Sequence, residues 1–275
     1  MFSGYDELIL QALREDIGTG DITTNSCVPA DGISHGIFTA KADGIIAGLD
    51  VALRVFYLID SGIRLNAHVS DGDRVNAGDT IAEISGSSRA ILTGERTALN
   101  FLQNLSGIAT ATSKSVAQIS GTKAKITDTR KTIPGMRTLA KYAVRCGGGS
   151  NHRFNLSDGV LIKDNHIKAA GGIQNAVAAA RDASPHTLRI EVETETLDDV
   201  AEALRAGADI IMLDNMTASD MSQAVLMVNG RALLECSGNM GEGGLREAAE
   251  TGVDFISIGA LTHSPKALDI SLKFV

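Results

Sequence analysis

Apolar positions along this chain follow three rhythms in succession. Residues 5–15 put Leu8, Ile9, Ala12 and Leu13 on one face, which predicts an amphipathic helix, and the DIGTGDITT that follows reads as a glycine-broken loop. From about 33 to 92 the runs shorten. IFTAKA, GIIAGL, IRLNAHV and TIAEIS are separated by Asp-Gly, Gly-Asp and Ser-Gly turns, the pattern of small antiparallel strands around one helix at 48–60. Residues 93–119 return to helical spacing, with Leu99, Leu102, Leu105 and Ile108 three apart, and predict a long helix linking two domains. Beyond it strands at 124–129, 160–163, 188–194, 209–214, 232–236 and 254–259 alternate with helices at 137–145, 172–182, 197–206, 218–229 and 243–251. These strands are β-branched runs without polar alternation, so both faces are buried and the sheet is parallel. Six or seven such βα units predict a closed or nearly closed α/β barrel, with a doubly wound open sheet as the second architecture.

In a barrel of this kind chemistry gathers at the C-terminal ends of the strands, and here those ends are uniformly polar. They read Asp128-Thr129-Arg130-Lys131, Lys163-Asp164-Asn165-His166, Glu191-Val192-Glu193, Asp214-Asn215, Cys236-Ser237-Gly238-Asn239 and Gly259-Ala260. Any one of them alone reads as a helix cap or a satisfied loop polar group. Arg130, Lys131, Arg153 and Lys163, with His152 beside them, make one wall cationic and suited to carboxylates. Glu193 and Asp214, on neighbouring strand ends, are open to three readings: a magnesium pair, a general acid/base pair, or salt-bridge partners of the lysines. Ser237-Gly238-Asn239 and Gly259-Ala260 end the last two strands, where barrels bind phosphate through backbone amides. Gly147-Gly148-Gly149 reads as a phosphate cradle or, better, as a turn that positions His152 and Arg153. Together these predict a small polycarboxylate, a magnesium ion and a phosphorylated partner.

Composition narrows the field. The 275 residues are 44% hydrophobic and 21% charged, as in a soluble globular protein, while tryptophan is absent and aromatics are 4%, which disfavours a base-stacking platform. The formal net charge is −8, yet residues 130–168 hold eight basic and two acidic residues, net +6, leaving −14 on the remainder. One compact basic segment in an acidic protein suits a small anionic ligand, not nucleic acid. Cys27, Cys146 and Cys236 have no metal-ligand spacing and fit a reducing cytoplasm; the N-terminal segment, with acids before any long apolar run, reads as an amphipathic helix and not as a signal peptide, and no apolar run approaches a membrane span. Residues 69–86, VSDGDRVNAGDTIAEISG, resemble the hairpin of biotinyl or lipoyl carriers but lack its lysine, which leaves a structural role.

The motifs GERTALNFLQNLSGIAT, DTRKTIPGMRTLAKYAVRCGGGSNHR, DGVLIKDNHI, EVET, MLDN, ECSGN and DFISIGALTHSPKALDISL, with the earlier EDIGTGDITT, resemble the quinolinate phosphoribosyltransferases over nearly the full chain. The resemblance implies an incomplete, about seven-stranded α/β barrel at 107–261 with a smaller N-terminal α/β sandwich at 1–106, rejoined by 262–275. It implies a cytoplasmic pentosyl-transferring enzyme that joins quinolinate to phosphoribosyl pyrophosphate with decarboxylation, giving nicotinate mononucleotide for NAD biosynthesis. It also implies Mg2+ and a homodimer with shared sites, open to higher assembly. Position by position, Arg96 looks like an arginine lent by the partner, and Arg130, Arg153 and Lys163 look like quinolinate contacts. Lys131 and His152 match residues near the reacting centre, and Glu193 and Asp214 match the acids that hold ribose and magnesium. Ser237, Gly238, Asn239 and Gly259 fall where the family binds the 5-phosphate, and Thr129, Ile258 and Ala260 match further substrate-binding positions. From other classes, an aldolase using Lys163 as a Schiff-base amine and a non-catalytic dicarboxylate binder remain competing readings.

Overall fold

Segments far apart in sequence build the first of two units in the computed structural model, which describes residues 5–238 and 244–275. This unit gathers the chain up to Ser113, then Ile133–Gly148 and Ser264–Val275. Helix α1 (Asp6–Ile17) falls on the predicted amphipathic stretch and buries Ile9 and Leu13. The glycine-broken loop expected next is in fact partly helical, because Asp21 caps α2 (Ile22–Cys27) by accepting the Thr24 N–H at 2.9 Å. Strands β1 (Ile33–Ala40) and β2 (Gly44–Ile45) precede α3 (Leu49–Ile59), and β3 (Arg64–Ala67), β4 (Arg74–Val75) and β5 (Thr80–Ser87) follow. The Asp71 carboxylate starts α3 by accepting the N–H groups of Gly48 and Leu49, and Tyr142 donates to the same carboxylate at 2.6 Å.

Helix α4 (Ser88–Gln118) begins five residues before its predicted start and buries Leu99, Leu102, Leu105 and Ile108, the four leucine-type positions spaced by three. Helix α5 (Arg137–Cys146) lies in this unit although it falls between two strands of the other. The antiparallel sheet runs β12-β1-β5-β3, its outer strand β12 (Ile270–Phe274) coming from the end of the chain. The glycine triplet after α5 has a packing role: a Cβ on Gly147 would collide with the carbonyl oxygen of Ala109 in α4.

The second unit holds Lys114–Thr132 and Gly149–His263. Its strands are β6 (Lys125–Thr127), β7 (Val160–Ile162), β8 (Ile190–Thr194), β9 (Ile210–Asp214), β10 (Leu233–Ser237) and β11 (Phe255–Ser257). All pair in parallel, in the order β6-β11-β10-β9-β8-β7. Helices α6 (Asp164–Ala170), α7 (Ile173–Ala183), α8 (Leu197–Ala206), α9 (Ala218–Val228), α10 (Gly244–Glu250) and α11 (Ala260–His263) separate them. The bounds of α8 match the predicted 197–206, because Thr196 and Asp199 form a reciprocal capping box and Gly207 closes the other end at φ +82°.

The barrel is incomplete, as expected, but its strand count is six among the described residues and not seven. At the seventh position stands a single parallel bridge from Ser150 to Thr127. The reason is local. Buried Asp128 accepts hydrogen bonds from the Asn151 side chain and the His152 N–H, drawing the chain out of the ladder straight after Ser150. With β7 at one end of the ladder and this bridge at the other, the barrel is not closed. No helix among the described residues is long and apolar enough to cross a membrane.

Candidate active site

Parallel register decides which strand-end side chains can meet. Glu193 lies opposite Met212, which lies opposite Glu235, and two residues further along Asp214 lies opposite Ser237. With side chains alternating at period two, Glu191, Glu193, Met212, Asp214, Glu235 and Ser237 all share one face. Two tiers result: an upper one at the strand ends, and a lower one inside the sheet.

The upper tier holds most of the predicted site. Lys163 Nζ is 2.9 Å from Glu193 Oε2, so the salt-bridge reading of Glu193 is realised here. The lysine is held at the start of α6 by its own N–H, which donates to His166 Nδ1 at 2.9 Å. Next to it, backbone N–H and Lys168 contacts hold the Asp164 carboxyl below the ordinary range. Asp214 accepts from the Asn215 side chain at 2.9 Å, and Asn215, at φ +54°, turns so sharply that a Cβ on Gly238 would collide with it. Lys131 is exposed; its N–H donates to Thr129 Oγ1 and its carbonyl accepts from Thr262. The Lys131 stem crosses Gly259, where a Cβ would lie 2.9 Å from Lys131 Cδ. Ile258 donates to the Thr127 carbonyl, and Ala260 opens α11. Arg96 is exposed on α4 in the other unit, beside Glu95, whose carboxyl burial pushes up and the Arg96 charge partly restores. Asn239 lies outside the described residues.

The lower tier was only half anticipated. His152 lies with its Nε2 3.1 Å from Glu191 Oε2 and 3.6 Å from Glu235 Oε1, and both glutamate side chains are only 4% exposed. Burial and the neighbouring Glu191 charge push the Glu235 carboxyl up to about 7, against the pull of His152 and a Ser257 hydrogen bond. Burial, then the Glu235 and Asp214 charges, lift the Cys236 thiol to about 12. Arg153 is lowered by burial and by the Arg130 charge, with Glu191 opposing, and its guanidinium donates to the Gly159 carbonyl at 3.0 Å. Glu235 and Asp128 had no assigned role in the sequence reading. A lone glutamate inside the apolar run ALLEC was the signal for the first.

A cavity of about 400 Å3 opens beside this lower tier, lined by Thr127, Asn151, His152, Arg153, Glu191 and Glu235, among others. Its far end is formed by Val160, Ile210 and Phe255, the first residues of β7, β9 and β11. Of the predicted site residues only His152 and Arg153 line it, so the cavity runs beneath the strand-end set and does not coincide with it.

Comparison with known proteins agrees over both units. Residues 21–106 match the family model described as quinolinate phosphoribosyl transferase, N-terminal domain, and residues 108–273 the corresponding C-terminal domain. A Bacillus subtilis protein called probable nicotinate-nucleotide pyrophosphorylase (carboxylating) is 46% identical over 266 residues, covering 97% of this chain and 92% of its own. A Mycobacterium leprae nicotinate-nucleotide pyrophosphorylase (carboxylating) is 44% identical, with 98% and 97% coverage. The crystal structure of NadC from Streptococcus pyogenes superposes with a TM-score of 0.95 at 45% identity, covering 99% of this chain and 97% of that one. The chain therefore belongs to the quinolinate phosphoribosyl transferase family.

Proposed function

We infer that this protein transfers the phosphoribosyl group of phosphoribosyl pyrophosphate to quinolinate and decarboxylates the adduct, releasing pyrophosphate, CO2 and nicotinate mononucleotide for NAD biosynthesis. The observation that carries the reading is the family match across both units, joined to a strand-end set rich in cations. Arg130, Arg153 and Lys163 receive the two carboxylates of quinolinate, with Thr129 beside them and Arg96 of the partner subunit completing the pocket in a homodimer. The ring nitrogen attacks C1 of the ribose while the C1–O bond to pyrophosphate breaks. Glu193 and Asp214 hold the ribose hydroxyls and favour the positive charge that develops on the sugar. Ser237, Gly238, Asn239 and Gly259 receive the 5-phosphate, with Ile258 and Ala260 as further substrate contacts beside them.

Glu193 and Asp214 also suit Mg2+, since both are carboxylates at neighbouring strand ends and neither is fully buried. When bound there, the ion would stabilise negative charge on the departing pyrophosphate. After transfer, the C2–carboxylate bond breaks and leaves its electron pair on C2 beside the cationic nitrogen. Lys131 offers its ammonium to that pair before a proton joins C2. The aldolase reading loses ground, because Schiff-base lysines are desolvated whereas Lys163 is 48% exposed and bonded to Glu193. A cytoplasmic setting suits a chain whose three cysteines form no disulfide. The test is pyrophosphate release with quinolinate, phosphoribosyl pyrophosphate and Mg2+. Turnover is expected, with little when nicotinate, which lacks the 2-carboxylate, replaces quinolinate. No release, or equal turnover of both acids, overturns the assignment.

A further inference from the structure

Beneath the strand ends, where an α/β barrel ordinarily packs apolar layers, three polar side chains converge. Glu191 and Glu235 come from strands separated by β9 and meet His152 from the segment after Ser150. Glu191 Oε1 and Glu235 Oε1 are buried without a hydrogen-bond partner among the described residues. Two nearly dehydrated carboxylates side by side oppose folding, so their presence needs a reason beyond packing.

A metal ion is the first candidate, since the three donor atoms lie within 4.8 Å of one another. The hydrogen bonding argues against it. His152 Nδ1 accepts the backbone N–H of Arg153 at 2.7 Å, so that nitrogen carries a lone pair and the ring proton sits on Nε2. Nε2 is the atom that faces the glutamates, and as an N–H it has no lone pair to give a cation. Both ring nitrogens are thus engaged within the protein: Nε2–H toward Glu191, Nδ1 toward Arg153. The ring bridges the buried carboxylates and the backbone of an arginine in the cationic wall. Asp128 braces the same segment through Asn151 and the His152 N–H, and Glu191 opposes the charge repulsion between Arg153 and Arg130.

We propose that Glu191 is a positioning residue, with the Glu235 carboxyl packed 3.6 Å from the same nitrogen: through the Nε2–H of His152, Glu191 fixes the ring that anchors the Arg153 backbone, holding that guanidinium ready for a substrate carboxylate, while His152 passes no proton to the substrate. This rests on the reading of Arg153 as a quinolinate contact. The side-chain isosteres separate the links. His152→Gln keeps an N–H near the glutamates and loses the Nδ1 acceptor; Glu191→Leu keeps volume and loses the acceptor for Nε2–H; Glu191→Gln keeps that acceptor.

The experiment measures steady-state kinetics of wild type and these three variants, with histidine 15N spectra of the wild type. Expected are an Nε2–H tautomer for His152, a KM for quinolinate raised tenfold or more in His152→Gln and Glu191→Leu, and kcat at saturation within about threefold in both. Glu191→Gln should recover most of the affinity lost in Glu191→Leu. If Glu191→Leu does not fold, His152→Gln and the spectra still decide. A kcat loss of a hundredfold in His152→Gln with KM unchanged overturns the proposal, since His152 then acts on the reacting atoms. An Nδ1–H tautomer overturns it too, as does loss of the Nε2–H proton of His152 on adding Zn2+ alone. An inactive wild type marks failure of the functional reading; an active wild type whose variants leave KM unmoved marks failure of the positioning role.

Discussion

At the strand ends Glu193 meets Lys163 at 2.9 Å with the lysine side chain 48% exposed; in the tier below, Glu191 meets His152 at 3.1 Å with side chains 4% and 13% exposed. The two glutamates are two residues apart on one strand and one face. Water and a long, flexible partner keep the upper pair exchangeable, so an arriving anion can take the lysine at small cost. Below, the glutamate is nearly shielded from water and the partner is a rigid ring engaged at both nitrogens. The contrast separates charges that wait for ligands from charges that hold shape.

The largest effect should come from pH on the lower tier. Glu235 is raised from an ordinary 4.5 to about 7, so the folded state keeps its proton where the unfolded chain has released it. The penalty is absent below pH 4.5, grows as pH rises toward 7 and is complete above it, at roughly 3 kcal/mol. Glu235→Gln removes it. Urea unfolding should show the variant matching wild type near pH 4.5 and exceeding it by up to about 3 kcal/mol at pH 8. A gain independent of pH would place Glu235 with the exchangeable charges.

Lys163→Ala should show the converse. Quinolinate kcat/KM should fall roughly 100-fold, about 2.7 kcal/mol of transition-state binding, while the melting temperature stays within a degree or two. A large melting shift with modest kinetic loss would make the upper pair structural.

Much of this arrangement was legible in the chain. Parallel strands announce themselves as β-branched runs, and α8 was bounded correctly because Thr196 and Gly207 mark its ends chemically. Helix α2 was not, since Thr, Thr, Asn and Ser are poor helix formers and Asp21 is its only strong local signal. Helix α6 also escaped, its start resting on a histidine in place of the usual capping acid. The upper tier could be read because polar residues at strand ends are contiguous in sequence. The lower tier could not, because His152, Glu191 and Glu235 are brought together by sheet order, and no local pattern states that β8 and β10 flank β9.

Asp214→Asn probes the metal side of the upper tier. It keeps size and loses charge, so KM for phosphoribosyl pyrophosphate should rise about tenfold, near 1.4 kcal/mol, with quinolinate binding little changed. Excess chelator should abolish turnover in the wild type. Full activity in chelator would refute the magnesium role.

The smallest effect is the most direct measure of the contrast. A double-mutant cycle of Lys163→Met and Glu193→Gln, read by urea unfolding, isolates the coupling between the two side chains from everything else each one touches. Half-exposed ion pairs couple weakly, because water screens the attraction and the lysine gives up rotamer freedom to make it, so about 0–1 kcal/mol is expected. High salt should reduce even that. The same cycle on quinolinate kcat/KM should be strongly non-additive, since a site that has lost Lys163 gains little from also freeing it of Glu193. Coupling above about 2 kcal/mol in unfolding would mean that the upper pair is as much a part of the scaffold as His152 and Glu191, and the division between waiting and shape-holding charges would fail.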